Sequence, residues 1–416
     1  MPSVLDVWLF NYRVGTLRLT EGRLSFCYLD TWINNPNATA LSCSLPLQSE
    51  IFDDHQSRPF FGGLLPEGNM RKLLAKQFHV SPQNEFALLD RLGGECAGAI
   101  TFLAHNQFLT SSNNEDIEWL NDDQLIDILD QLPTRPMLAG KDDLRLSLAG
   151  AQDKLPVIYD GERIGLTHNN TPSSHILKPS IPTISDSVIN EGFCLALADT
   201  LNLNPAKSSI HTLGKKQFLL VERYDRKINT HGNLERLHQE DFCQALGVHS
   251  EMKYQNEGGP NLSPCFELVR CMTRPSAPQI LKLLDYIIFN TLIGNHDAHA
   301  KNFSLLYRDK SLIIAPLYDV LSTTIYPTLS SKMAMKLGNT YKFNEIQARH
   351  WDQFAQSCGL SATQTKKRVI EFTKKLPTAA KTLQSSNYLF KNNPTIEKII
   401  DVIEKRSSIT NRRLQQ

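Results

Sequence analysis

A short polar loop follows a long apolar run in the second half of this chain. Residues 292–303 have the sequence LIGNHDAHAKNF, in which Asp297 lies five positions before Asn302. A second acid, Asp319, follows in the segment PLYDV at 316–320. Kinases need such a set, because one carboxylate orients a hydroxyl nucleophile while an amide and a second acid hold Mg²⁺ on the phosphates of ATP. The pattern therefore predicts phosphoryl transfer.

Size and charge narrow the class of protein. The 416 residues are enough for two or three domains, and 44 basic against 43 acidic residues leave a net charge of +1. This balance favours neither nucleic-acid nor membrane binding. The N-terminus does not resemble a signal peptide, and the eight cysteines are scattered without a C-x-x-C pair. These features predict a soluble cytoplasmic protein with reduced thiols and no membrane association.

The first hundred residues show the alternating pattern of strands, interrupted by helical segments. The pattern predicts, in order, strands over 4–10, 14–19 and 24–29, a glycine-rich loop over 60–69, helices over 70–78 and 85–92, and a strand over 98–103. Residues 106–114 are polar and predict a linker. Asp122 and Asp123 then predict the cap of an amphipathic helix that ends at Leu132.

A second β-rich stretch precedes a helical half. The pattern predicts strands over 154–159, 163–166 and 175–178, a helix over 188–201, a strand over 217–221, mostly helix beyond 226, a clear helix over 279–292, strands over 303–307 and 311–315, and a helical tail after 348. This order predicts an α+β protein with a bilobal, protein-kinase-like fold. We expect a β-rich N-terminal module (1–105), a kinase N-lobe (106–225) and an all-helical C-terminal lobe (226–416).

The spacing of Asp297 and Asn302 is that of a kinase catalytic loop, where both residues converge on one γ-phosphate. Lys301 between them could balance charge on the transferred group. D-x-x-x-x-N alone is a frequent accident, but its place between a helix and a hairpin that leads to Asp319 strengthens it. Asp319 by itself could equally form an Asx-turn at a strand end.

The first lobe offers candidates for nucleotide binding. Lys178, at the end of a predicted strand, is placed as the phosphate-pairing lysine, and Glu191 on the next helix could pair with it. Small residues in SLAGAQDK (147–154) would let backbone approach phosphate closely, although a hairpin without a ligand would look the same. The segment VERYDR (221–226) lies where an interlobe hinge would bind adenine, although an ordinary strand end is an equal alternative.

A different chemistry is also open at the central loop. His296, Asp297 and His299 could be metal ligands of an HD-type phosphohydrolase. That class needs further His and Asp ligands on helices around the metal. The upstream histidines His168, His175 and His211 lie in strand or loop contexts, which disfavours this alternative.

Together the motifs resemble the HipA-type serine/threonine kinases, the toxin halves of bacterial toxin–antitoxin pairs. The resemblance extends to the N-terminal module and spans nearly the whole chain. It is carried by LSCSLPLQ (41–48), FFGGLLPEG (60–68), SLAGAQDK (147–154), HILKP (175–179), VERYDR (221–226), IGNHDAHAKNFS (293–304) and PLYD (316–319).

The resemblance implies a role for each motif residue. Asp297 would be the catalytic base, Asn302 and Asp319 the Mg²⁺ ligands, and Lys178 the ATP lysine. Ser147 matches a serine that family members autophosphorylate, which would switch the kinase off. The implied nucleotide contacts are Ala149, Gly150, Ala151, Gln152, Asp153, Lys154, Glu222, Arg223, Tyr224, His299, Ala300, Lys301, Asn302, Tyr318 and Asp319.

The resemblance also implies partners. Family members phosphorylate a protein, in studied cases an aminoacyl-tRNA synthetase, which arrests translation and growth and leads to persistence. A small helix-turn-helix antitoxin restrains them, and the pair represses its own operon, with DNA contacted mainly through the antitoxin. Two other functions compete with a toxin kinase: a phosphotransferase for small molecules, and a catalytically silent co-repressor that acts through its antitoxin.

Overall fold

The computed structural model describes residues 3–109, 116–141, 144–308 and 311–415. The chain divides into two compact units. Unit 1 contains Met1–Pro179, His211–Glu251 and Leu306–Lys310, and unit 2 contains Ser180–Ile210, Met252–Leu305 and Ser311–Gln416. The three predicted domain boundaries stay a prediction. Within the predicted linker, residues 110–114 lie outside the described residues.

Strands are concentrated in the N-terminal half and helices in the C-terminal half. The strands are β1 (Val4–Leu9), β2 (Tyr12–Thr20), β3 (Arg23–Tyr28), β4 (Ile100–Ala104), β5 (Ile117–Trp119), β6 (Leu155–Tyr159), β7 (Ile164–Thr167), β8 (His175–Pro179), β9 (Ser208–Leu213), β10 (Lys216–Glu222), β11 (Arg226–Ile228), β12 (Leu234–Arg236), β13 (Gln239–Asp241), β14 (Ser304–Arg308) and β15 (Ser311–Ile314). The helices are α1 (Asp30–Ile33), α2 (Asp54–Gly63), α3 (Gly68–Gln77), α4 (Glu85–Leu92), α5 (Asp122–Gln131), α6 (Ser187–Thr200), α7 (Phe242–Ala245), α8 (Leu262–Met272), α9 (Ser276–Ile293), α10 (Ala348–Ser357), α11 (Ala362–Ser386) and α12 (Pro394–Gln415).

The first part of unit 1 is a four-stranded sheet in the order β3-β2-β1-β4, and its pairs are antiparallel. Its strands bury one face on the helices that follow, as the alternating sequence predicts. An aromatic cluster fills this core, in which Phe26 lies within 5.3 Å of Phe61 and 6.1 Å of Phe52, measured between ring centroids. The N-terminal module therefore has its own hydrophobic core.

A six-stranded sheet in the order β5-β7-β6-β8-β10-β9 forms the second part of unit 1. Strands β8 and β10 are antiparallel neighbours, with Lys178 opposite Leu219. Leu155, Val157, Leu177 and other apolar side chains of the sheet are buried in a second core. This sheet fixes the strand that carries Lys178.

Helices dominate unit 2. Helix α11 packs on α12, and both also contact α9. The last eleven residues of α9, Leu283–Ile293, are all buried. A helix segment that is buried on every side lies in a core, and its fixed position supports the loop that follows it. Strands β14 and β15 come next and form the predicted hairpin. None of the described helices combines the length and apolar character needed to cross a bilayer.

Some details of the predicted elements are wrong. Residues 60–63 were expected in a loop, but they form the end of α2, because Asp53 and Gln56 build a capping box and Phe60 and Phe61 are buried. The cap of α5 is Asn121, whose side chain accepts the Gln124 N–H, and not Asp122 or Asp123.

The onset of the helical region was also predicted too early. Beyond Arg226 the chain first forms β11, β12 and β13, and helix resumes only at Phe242. Strand β9 was not predicted at all. These short strands carry many polar residues, so their pairing rather than their own pattern determines the structure.

Candidate functional site

The catalytic-loop candidate begins where α9 ends. Gly294 is left-handed, with φ +79°, and a Cβ atom there would lie 2.6 Å from Thr324 Oγ1. Only glycine fits such a helix end without strain. Asn295 follows, and its Nδ2 donates to Asn290 Oδ1 at 2.8 Å while its Oδ1 accepts the Asp297 N–H at 3.0 Å. The helix end and this amide set the direction of the Asp297 backbone.

Asp297 and Asn302 are brought together, as their spacing predicts. The Asn302 Nδ2 donates to the Asp297 backbone carbonyl at 2.9 Å. The side-chain oxygen of Asn302 is not used in this bond. Asn302 is buried, whereas the Asp297 side chain is exposed. The hydroxyl of Tyr254 donates to Asp297 Oδ1 at 2.7 Å. The carboxylate is thus accessible and also oriented.

His296 is a structural part of the loop. Its backbone N–H donates to Thr323 Oγ1 at 2.8 Å, and its Nδ1 lies 3.0 Å from the Ser330 carbonyl. Its Nε2 accepts from the Arg406 guanidinium at 2.8 Å, so the partners assign a neutral ring with its proton on Nδ1. Burial lowers the pKa of His296, and the positive charge of Arg406 lowers it further. The ring is therefore committed to these contacts rather than to a metal.

Tyr318 links the segment that carries Asp319 to the catalytic loop. Its hydroxyl donates to the Lys301 carbonyl at 2.7 Å and lies 2.7 Å from the Ser304 hydroxyl. Asp319 itself has φ +56°, in the left-handed region. Such a backbone is uncommon outside glycine and concentrates at functional sites. His299, Ala300 and Lys301 form the buried turn between Asp297 and Asn302.

The candidate ligands suit Mg²⁺ bound together with nucleotide phosphates better than a metal ion bound by protein side chains alone. The amide oxygen of Asn302 and the carboxylate of Asp319 are hard oxygen donors, and Mg²⁺ in kinases takes its other ligands from phosphates and water. Among the described residues, no group of three or more His, Cys, Asp or Glu side chains could hold a metal ion. The HD-type hydrolase therefore lacks its ligand set in the part of the chain described.

In unit 1, the SLAGAQDK segment is held by backbone bonds to the N-terminal module. The Ser147 N–H donates to the Glu95 carbonyl at 2.9 Å, and the Glu67 N–H donates to the Gly150 carbonyl at 3.0 Å. Ser147 is fully buried, and its hydroxyl donates to the Leu64 carbonyl at 2.9 Å. The start of the loop is thus joined to the N-terminal module by two isolated β-bridges, Glu95 with Leu146 and Pro66 with Gly150.

The turn of this loop closes on itself. Gly150 has φ +109°, and a Cβ atom there would lie 2.7 Å from Lys154 Nζ. The Lys154 ammonium donates to the Ala149 carbonyl. Burial raises the pKa of Asp153, while the neighbouring Lys154 acts in the opposite direction. Of the other predicted contacts, Ala151 is exposed and Gln152 is half-buried.

The lysine and hinge candidates lie on neighbouring strands. Lys178 is buried in β8, and Glu222 ends the adjacent strand β10 with an exposed side chain. The Arg223 N–H donates to the Ser174 carbonyl at 2.9 Å. Tyr224 donates its hydroxyl to the Gln239 side chain. Glu191 belongs to unit 2 and Lys178 to unit 1, and their pairing stays a prediction.

The side chain of Arg223 is part of a buried ionic cluster. It donates to Asp225 at 2.8 Å and to Glu95 at 3.0 Å. Glu95 also accepts from Arg226 at 2.7 Å and from Arg236. Burial alone would raise the pKa of Glu95, but Arg236, Arg226 and Arg223 together hold it well below its usual range. The side chain of Arg223 is therefore committed to these acids, as its N–H is to the Ser174 carbonyl.

Sequence reasoning missed several residues that shape these loops. Each of them contacts a candidate residue or its backbone: they are Tyr254, Arg406, Asn295 and Glu95. Asn295 lies inside the motif and could have been found from the preference of Asn for Asx-turns. The others are far away in the chain and carry no spacing signal.

Comparison with known families identifies the chain. Residues 5–103 match the HipA N-terminal domain, and residues 146–380 match the HipA-like C-terminal domain. The chain belongs to the HipA-like family. The resemblance that the motifs indicated is confirmed, and it includes the N-terminal module.

Known HipA-like proteins cover almost the whole chain. The protein Y4mE of Sinorhizobium fredii, which is named as a kinase, is 42% identical over 412 residues, or 98% of both chains. The serine/threonine-protein kinase toxin HipA of Shewanella oneidensis is 28% identical over 90% of this chain and 88% of its own. The structure of Shewanella oneidensis HipA with HipB and operator DNA aligns at a TM-score of 0.84, with 26% identity, over 98% of this chain and 97% of that one.

These matches confirm two predictions. The fold is the mixed α+β, kinase-like fold of HipA, with a β-rich N-terminal sheet and a helical C-terminal part. The chain is a HipA-like kinase, and kinases of this family imply the use of ATP.

Proposed function

We propose that this HipA-like kinase is an ATP- and Mg²⁺-dependent serine/threonine protein kinase, and the toxin of a toxin–antitoxin pair. One observation carries the catalytic part of the proposal. The exposed carboxylate of Asp297 lies on a loop whose backbone is hydrogen bonded by Asn302, five residues further along. The similarity to the HipA toxin supports the biological part.

On the catalytic side, Asp297 accepts the proton of the acceptor hydroxyl and orients that hydroxyl toward the γ-phosphate. Asn302 and Asp319 hold Mg²⁺ through their oxygens, and Tyr318 maintains the relation between their two segments. A Mg²⁺ ion held by these oxygens would neutralise charge that develops on the phosphates. His299, Ala300 and Lys301 line the nucleotide from the same turn.

On the nucleotide side, Lys178 pairs with phosphate oxygens, and the backbone of Ala149 to Lys154 approaches the phosphates closely. The bond from Lys154 to Ala149 maintains the shape of that turn. The backbone of Glu222 to Tyr224 binds adenine. Because the side chain of Arg223 is committed to Asp225 and Glu95, this recognition is independent of its charge.

Autophosphorylation at Ser147 would switch the kinase off. The Ser147 hydroxyl is buried against the Leu64 carbonyl, so the loop must leave the N-terminal module before the hydroxyl can react. A phosphate adds about two negative charges and would exclude the side chain from that buried position. A Ser147→Ala variant that still loses activity on incubation with ATP would contradict this step.

The proposed partners of this chain are based on the solved structure of its Shewanella oneidensis relative. That structure contains HipA, HipB and operator DNA. We propose that a helix-turn-helix antitoxin restrains this chain, and that the pair represses its operon with DNA bound mainly through the antitoxin. The target is a protein, and an aminoacyl-tRNA synthetase would account for growth arrest. The site of action is the cytoplasm.

Transfer of labelled phosphate tests the catalytic proposal. The full-length protein is incubated with labelled ATP, Mg²⁺ and a bacterial lysate, beside Asp297→Asn. We expect Asp297→Asn to lose self-labelling and target labelling by at least about a thousandfold, because the base and its charge are removed.

Asp401→Asn is the matched control, because Asp401 is an exposed acid on α12 far from the motif in sequence. We expect it to label as the unaltered protein does. Equal labelling by the Asp297→Asn variant and the unaltered protein would overturn the proposal.

A further inference from the structure

Tyr254 contacts the proposed catalytic base from a distant part of the chain. Its hydroxyl donates to Asp297 Oδ1 at 2.7 Å, although the two residues are 43 positions apart. Both belong to unit 2. The bond joins a half-buried tyrosine to an exposed carboxylate. Water could therefore satisfy the carboxylate in place of the phenol. Such a contact points to a function rather than to the satisfaction of a buried polar group.

The backbone beside Tyr254 is fixed to the same loop. The Gln255 N–H donates to the Ala334 carbonyl at 3.2 Å, and the Ala334 N–H donates to the His296 carbonyl at 2.8 Å. The Lys336 N–H donates to Gln255 Oε1 at 2.7 Å. Tyr254 and Gln255 are thus linked to two successive residues of the catalytic loop, one directly and the other through Ala334. These hydrogen bonds together fix the position of the Tyr254 phenol relative to the Asp297 carboxylate.

The ring of Tyr254 has two close side-chain neighbours. Its centroid lies 5.1 Å from that of His299 in an edge-to-face arrangement, and the Lys253 ammonium lies 5.4 Å from it. The Tyr254 carbonyl accepts the N–H groups of Glu257 and Gly259 at 3.0 and 2.9 Å. The phenol therefore has few alternative positions, and its hydroxyl is directed at Asp297.

We infer that Tyr254 is a positioning residue for phosphoryl transfer. The carboxyl group of an exposed Asp rotates easily, because its terminal torsion has only a broad preference. A bond from Tyr254 to Oδ1 fixes that rotation. A carboxylate has about four acceptor positions, and the Tyr254 hydroxyl occupies one of them. Fixed orientation of the base contributes directly to rate. The inference rests on the proposed role of Asp297 as the base.

Tyr254→Phe tests the inference, since it removes one oxygen and keeps the ring. At saturating ATP we expect the initial rate of label transfer to lysate protein to fall roughly tenfold, the loss expected for one oriented hydrogen bond. The KM for ATP and the affinity and stoichiometry of Mg²⁺–ADP binding, measured by calorimetry, should stay within twofold. Tyr388→Phe is the matched control because Tyr388 is 85% exposed, and we expect no change from it.

The outcomes separate this inference from the proposed function. An unchanged or faster Tyr254→Phe enzyme overturns the inference, since the phenol is then dispensable or competes with the acceptor. Reduced Mg²⁺–ADP stoichiometry or a lower unfolding temperature also overturns it, because Tyr254 is then only structural. If Asp297→Asn abolishes labelling while Tyr254→Phe retains the full rate, the proposed function stands and the inference fails. Labelling by Asp297→Asn at the rate of the unaltered protein overturns both.

Discussion

The two loops that carry the candidate site are held by different kinds of contact. The catalytic loop in unit 2 is held by hydrogen bonds between amide, hydroxyl and backbone groups, with Arg406 as the charged partner. The candidate nucleotide loop in unit 1, residues 147–154 and hereafter the nucleotide loop, pairs its backbone with residue 95, and the side chain of Glu95 is the centre of a buried ionic cluster. The geometry of the nucleotide loop should therefore depend on ionisation, and that of the catalytic loop much less.

The largest expected effect comes from removing the central charge of the cluster. Glu95→Gln removes one carboxylate from the buried Arg223 and Arg226 and the half-buried Arg236. Breaking a buried ion pair on one side costs about 3 kcal/mol or more, so we expect a loss of that size in the free energy of unfolding. Urea denaturation measures it. A stability equal to that of the unaltered protein would show that the ionic cluster does not hold unit 1.

Acid should weaken the same cluster. The pKa of Glu95 is lowered by folding, so its stabilising contribution is complete above its ordinary pKa of 4.5 and is lost as the pH falls toward the folded value. We expect a loss on the order of 2 kcal/mol between pH 4.5 and pH 3 that is absent in Glu95→Gln. Unfolding at a series of pH values, compared between the two proteins, checks this. Parallel curves would contradict it.

Arg406→Met should have a smaller effect, and it concerns the catalytic loop. The arginine donates to the Thr291 carbonyl at 2.7 Å and to His296, and methionine keeps the apolar stem without the donors. Leaving neutral acceptors unpaired costs about 1–2 kcal/mol. We expect that loss in stability together with a lower rate of label transfer. A lost rate without a loss of stability would assign Arg406 a more direct role.

The smallest expected effect comes from Glu118→Gln, which removes an exposed acid for comparison with the buried Glu95. Glu118 pairs with Lys141 at 2.7 Å and lies 3.2 Å from His168, but its side chain is 36% exposed. Exposed pairs contribute less than about 1 kcal/mol, so Glu118→Gln should change the unfolding free energy by roughly 0.5 kcal/mol or less. A loss as large as that of Glu95→Gln would show that burial is not what distinguishes the two acids.

The sequence predicted the elements that depend on local pattern. The strands of the first sheet, helix α9 and the hairpin after it follow from periodicity, and the pairing of Asp297 with Asn302 follows from a spacing that one short turn enforces. The end of α2 was missed because its glycines resemble a loop, although the Asp53–Gln56 capping box was visible. Local signals thus determine most of what could be predicted.

Contacts between distant parts of the chain could not be predicted in this way. Tyr254 reaches Asp297 over 43 positions, and Glu95 meets Arg223 over 128. Tyr254 and Glu95 lie outside the spaced motifs. The members of a buried ionic cluster look like ordinary charged residues in sequence. The candidate site residues were therefore predicted from their motifs, while the residues that contact them could be named only from the structure.

The bonds of the nucleotide loop determine how this protein can be divided. The N–H groups of Glu95, Ser147 and Glu67 bond to the carbonyls of Arg145, Glu95 and Gly150, respectively. A shortened chain that starts after residue 105 would lack the partner of each bond and would leave backbone groups of the loop unpaired. The N-terminal module therefore supplies backbone partners to residues 145–150, and its deletion or exchange would leave that loop without them.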